Sequence, residues 1–146
     1  MNEKLQNYQA ADILGKSGPE LVVKVYDGAI GSMNNAVENY KAQDYESGYE
    51  AMEKAKKFIV HLYTTLDKDR GGDIAENLAK LYAFIVEQIN FVQATKDLTK
   101  ITDSVQILQN IREGWVQLAQ DVKGKNDPVG ESGREAANVK NISMSI

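Results

Sequence analysis

TLDKDRGGDIAENLAKL, residues 65–81, decides the fold. Apolar residues run up to Leu66 in steps of three and four, break at Gly71 and Gly72, and resume at Ile74, Leu78 and Leu81. That step is the helical period, and paired glycines punctuate it. The stretch therefore reads as the end of one amphipathic helix, a tight turn, and the start of another.

The same period extends in both directions. Before the turn, Asp44 is a good N-cap, and the face Tyr45, Gly48, Met52, Ala55, Ile59, Leu62 and Leu66 follows it. After the turn, Asp73 and Glu76 suit the positive end of a helix whose face is Ile74, Leu78, Leu81, Ile85, Ile89 and Val92. Further upstream, Ser17-Gly18-Pro19-Glu20 is a helix-start signature. It opens a helix over about 19–41 with Val22, Tyr26, Ala29, Met33, Ala36 and Tyr40 inward. A last helix starts near Leu98 and carries Ile101, Val105, Leu108, Ile111, Trp115, Leu118 and Val122.

Each segment spans roughly 33–38 Å of helix, and the links between them are short. Short links make successive helices antiparallel, so the expected fold is all-α: an up-down-up-down four-helix bundle. Ile59, Leu62, Leu81, Ile85, Leu108 and Ile111 are expected in its core. Residues 1–18 read as a short N-terminal arm, 19–122 as the bundle and 123–146 as a flexible C-terminal tail.

The chain has 146 residues, enough for one domain with a real core. Its 42% hydrophobic and 26% charged residues are ordinary for a soluble globular protein. With no cysteine, disulfides and thiolate chemistry are excluded. No run is long enough to cross a membrane, and the first fifteen residues hold no signal-peptide core, so a cytoplasmic protein without membrane insertion is expected. A net charge of −4 with both signs mixed argues against nucleic acid as a partner.

Catalytic chemistry finds no support. The one histidine, His61, is expected to face solvent, and Phe58 stands where a di-iron motif needs Glu. Gly71-Gly72 lacks the ending of a phosphate loop, and Asp67, Asp69, Asp73 and Glu76 do not have calcium-loop spacing. The chain is expected to be no enzyme and to hold no cofactor or metal.

The helices instead carry more apolar residues than one core needs. Val23, Ile30 and Val37 make a second stripe on the first helix. Tyr49, Val60 and Tyr63 flank the second, Phe84 and Phe91 lie off the core line of the third, and Ile107 off that of the fourth. A bundle has one inside, so the surplus points to grooves that take helices of another chain, or to self-association.

Three motifs carry a resemblance to a known family. They are Val25-Tyr26-Asp27-Gly28-Ala29-Ile30, the stretch Leu66-Asp67…Gly71-Gly72-Asp73-Ile74-Ala75…Asn77-Leu78…Leu81-Tyr82, and Arg112-Glu113-Gly114-Trp115. In this order, with Tyr8 ahead of them, they resemble the FliS-type flagellar secretion chaperones from about Tyr8 to Gln117. The chain departs from that pattern at Gly18, inserted in a Ser-Pro pair, at Val92-Gln93 for an Ala-Asn pair, and at Lys24 for an apolar residue. The resemblance implies a cytoplasmic export chaperone whose client is the C-terminal region of flagellin, kept from polymerising and passed to the flagellar type III export gate. Other flagellar regulators are further partners that it implies. It also implies that the arm, with Tyr8 and Ile13, covers part of the client groove. With Val23, Ile30, Tyr49, Val60, Tyr63, Phe84, Phe91 and Ile107, these are the expected partner contacts. The second reading is a homo-oligomeric structural bundle, a homodimer in its simplest form, with no flagellin client.

Overall fold

The computed structural model describes residues 18–125, with side chains as far as residue 121. Tyr8, Ile13 and the rest of residues 1–17, with 126–146 of the tail, lie outside the described residues; residues 18 and 123–125 belong to helices. The described chain is four helices with no strand: α1 (Gly18–Lys41), α2 (Tyr45–Thr64), α3 (Lys68–Thr95) and α4 (Thr99–Lys125). Each link is three residues.

An aspartate in each link caps the helix that follows. The Asp44 carboxylate accepts from the Ser47 N–H at 3.2 Å, and that of Asp67 from the Arg70 N–H at 3.1 Å. Asp97 accepts from the Thr99 N–H at 3.1 Å, and this bond with that from the Thr99 hydroxyl holds its carboxyl below the usual range. Each satisfies an N–H that a helix start leaves orphaned. Lys96 ends α3 in the left-handed conformation at φ 64°, its N–H donating to the Val92 carbonyl.

The helices pack as a square: α1 against α2 and α4, and α3 against α2 and α4. The antiparallel register of α1 and α2 is visible in two close approaches. A Cβ on Gly28 would fall 2.5 Å from the Phe58 ring, and one on Gly48 would fall 3.0 Å from the Tyr40 ring. Both glycines let an aromatic ring from the facing helix lie on bare backbone.

The core holds Tyr26, Ala29, Met33, Ala36 and Tyr40 of α1, Met52, Ala55, Ile59 and Leu62 of α2, Leu78, Tyr82, Ile85, Ile89 and Val92 of α3, and Ile101, Leu108, Trp115 and Leu118 of α4. Ile59, Leu62, Ile85 and Leu108 are buried as expected, while Leu81 and Ile111 are half-buried at its margin. Ser104 is fully buried too, its hydroxyl donating to the Lys100 carbonyl at 3.1 Å. That local bond removes the penalty of burying a polar group on the core line.

Three expectations need correction. Helix α3 starts at Lys68, ahead of the glycines, because Asp67 caps a first turn; the break falls at Gly72, with φ 55° and ψ −135°. Tyr45 is not a core residue: it is 42% exposed, with the Lys96 ammonium 4.2 Å from its ring centre. His61 does not simply face water; it is half-buried, its Nε2 shielded and without a hydrogen-bond partner.

Candidate protein-binding surface

At about 100° per residue, Tyr45, Tyr49, Glu53, Lys56, Val60 and Tyr63 fall within an arc of about 80° on α2. The strip they form is one helix face, and its apolar members stay in water: Tyr49 is 49% exposed, Val60 45% and Tyr63 40%. Its direction is fixed by α3. The Gln93 amide donates to the Glu53 carboxylate at 2.9 Å and to the Tyr49 carbonyl at 3.3 Å, and its oxygen accepts from Lys56 at 3.0 Å. Lys56 also pairs with Glu53 at 2.7 Å. The strip therefore borders the groove between α2 and α3. The bonds from Lys56 and Gln93 hold the Glu53 carboxyl below its ordinary range, so it carries its charge.

Two cations at the ends of α3 frame this strip. Lys96 stacks over Tyr45 at one end, and Lys68 lies 5.4 Å from the Tyr63 ring centre at the other. Such contacts leave much of each ring open while fixing its pose.

The second exposed surface belongs to α3 alone. Phe84 is 45% exposed and Phe91 40%. They stand about 180° and about 160° around α3 from Gln93, so they face away from α2. Ile107 of α4 is half-buried.

The stripe on α1 behaves otherwise. Ile30 is buried at 8% exposure and belongs to the core, while Val23 and Val37 are half-buried against it. The reason lies in α4. Ile30 and Asp27 line one concavity with Gln109, Asn110, Arg112 and Glu113, so this side of α1 packs along α4 and the seam between them is concave. Ile30 is a packing residue at the edge of that concavity.

That interface also joins two of the sequence motifs. Arg112 donates through Nε to Asp27 at 2.5 Å and through Nη2 at 3.4 Å. One residue before Asp27 and three after Arg112, Tyr26 and Trp115 lie with ring centres 6.4 Å apart, and the Tyr26 hydroxyl hydrogen-bonds that of Tyr82. Burial pushes the Tyr26 hydroxyl up to about 12, against the opposing pull of Tyr82 and Trp115, and pushes Tyr82 up as well. The motifs thus close the α1–α4 seam and fill the centre. Sequence spacing alone does not bring residues 85 positions apart together.

Among the described residues no group of acidic residues and histidine could hold a metal, and no helix is long and apolar enough to cross a membrane. The bundle leaves large apolar side chains in water on α2 and α3, a surface suited to receiving amphipathic helices.

Comparison with known proteins gives a consistent result. The family model described as flagellar protein FliS matches residues 1–122. A flagellar secretion chaperone FliS from Salmonella typhimurium is 29% identical over 108 residues, covering 73% of this chain and 80% of the relative. The protein of that name from Vibrio cholerae is 36% identical over 69 residues, 47% of this chain and 51% of the relative. That from Escherichia coli K12 is 20% identical over 118 residues, 80% and 87% respectively.

Proposed function

This chain belongs to the FliS family of flagellar proteins, and from that membership we propose that it binds the disordered C-terminal region of flagellin in the cytoplasm. Holding that region keeps flagellin from polymerising early and presents it to the flagellar type III export apparatus. The family is one of flagellar secretion chaperones, and the role is one of binding, with no chemical step.

One observation carries the reading: Tyr49, Val60, Tyr63, Phe84 and Phe91 stay in water although the core is already filled. Burying the exposed half of one such side chain is worth about 1 kcal/mol, so several together help offset the cost of ordering a disordered client. We assign the main client contacts to these five, with Ile107 and Val23 at the margins.

The test mixes the full chain with the C-terminal region of a flagellin from the same genome and follows heat and far-ultraviolet dichroism. A one-to-one complex with more helix than its parts is expected. Phe84→Glu and Phe91→Glu should each weaken it about tenfold or more while leaving the free bundle helical. No complex, together with a chain that dimerises through these residues, would replace the reading with a homo-oligomeric bundle.

A further inference from the structure

The exposed strip on α2 is not apolar throughout. Tyr45 and Tyr49 lie toward one end and Val60 and Tyr63 toward the other, with Glu53 and Lys56 between them on the same face. From Tyr49 to Tyr63 is about 21 Å along the helix, or some four turns, the length of helix a client segment would lay against it. A strip built only to hold an apolar helix has no use for two charges at its middle, where they would be desolvated on docking.

Their hydrogen bonds show which of them is available. Gln93 and Glu53 both accept from Lys56, whose side chain is only 26% exposed. Glu53 is 44% exposed, and both bonds it receives, from Gln93 and from Lys56, end on Oε2. Its Oε1 takes part in no bond among the described residues. The network therefore fixes the carboxylate in one pose and leaves Oε1, on a half-exposed side chain, free to accept from an incoming group. Gln93 also ties it to the Tyr49 carbonyl, so this pose does not depend on a client being present.

We propose that Glu53 is a specificity determinant of the α2 strip, selecting a client helix that carries a basic donor midway between two apolar anchors. The donor meets Oε1, while the anchors cover Tyr49 on one side and Val60 and Tyr63 on the other. A helix with an acidic residue at that position meets a like charge, and one with an apolar residue leaves the carboxylate dry and unmatched. Lys56 and Gln93 are positioning residues, acting through Glu53. The inference rests on the proposed client reading and adds to it what the client must carry.

The experiment titrates the same flagellin C-terminal region into the wild-type chain, Glu53→Gln and Tyr63→Ala, each at low and at high salt. Wild-type binding should weaken with salt. Glu53→Gln should bind about fivefold more weakly at low salt and lose most of the salt dependence. Tyr63→Ala should bind more weakly by about the same factor at both salts, because it leaves Glu53 and its network in place. Equal binding by Glu53→Gln and wild type at both salts, or tighter binding by Glu53→Gln, overturns the inference and leaves the client reading standing. Absence of any binding to the wild-type chain removes both.

Discussion

Tyr26 sets a phenol at the centre of the bundle, and its titration should govern how the protein fails in alkali. In an unfolded chain the group loses its proton near its ordinary 10.0, whereas in the core it keeps it up to about 12. Tyr82 is shifted the same way, by burial and then by the neighbouring Tyr26. Above pH 10 the unfolded state thus binds fewer protons than the folded one. The stabilisation is complete below pH 10 and is lost as the pH rises through the folded value. Each retained proton is worth about 1.4 kcal/mol per pH unit over that window. Tyr26→Phe should therefore flatten the fall in stability between about pH 10 and about pH 12, as read by guanidinium denaturation; parallel curves for variant and wild type would show that Tyr26 does not hold its proton. Tyr26 was legible in the sequence, but Tyr82 was not. Steps of three and four from Leu78 to Ile85 pass through Leu81 or Tyr82 equally well, and hydropathy favours the leucine. The structure buries the tyrosine, because the hydroxyl of Tyr26 gives its own a partner in the core.

The helices themselves were readable because cap, period and breaker agree along most of the chain. The exception is the start of α3. Asp67 follows an apolar run and precedes two glycines, so it reads as the end of a helix, yet its carboxylate caps a new turn. Only Gly72 then leaves the helical region, at φ 55°, where a side chain is strained. A Cβ there would meet no atom within 4 Å, so a substitution is opposed by the backbone alone. Gly72→Ala should destabilise by about 1–3 kcal/mol. Gly31 is the control: a Cβ there also meets open space, but it sits within the regular turns of α1. Gly31→Ala should stabilise by up to about 1 kcal/mol, since alanine is the better helix former. Denaturant midpoints of the two variants should move in opposite directions, and a shift of the same sign would contradict the kink at Gly72.

A count of apolar stripes in the sequence says that something besides the core must be covered, but not which stripes remain free. That depends on which helix stands beside which: α4 packs along the Ile30 side of α1 and absorbs that stripe, while among the described residues no helix covers the α2 strip or the outer face of α3. The two free surfaces lie on different sides of α3, since Gln93 points to α2 and Phe91 lies about 160° around the helix from it. No single straight helix can cover both. If one flagellin tail occupies both, it does so with two helical segments joined across α3, and each segment raises the local concentration of the other. Tyr49→Ala and Phe91→Glu then remove independent contributions, because the residues share no partner. Each should weaken binding of the whole C-terminal region about tenfold, and the double variant about a hundredfold. Two shorter client peptides, one for each half of the region, should each respond to one variant and ignore the other. Calorimetry on the four proteins with the three ligands decides the matter. Sub-additive losses, or a half-peptide sensitive to both variants, would mean that the two surfaces receive the same segment, and that the bundle holds its client along one groove.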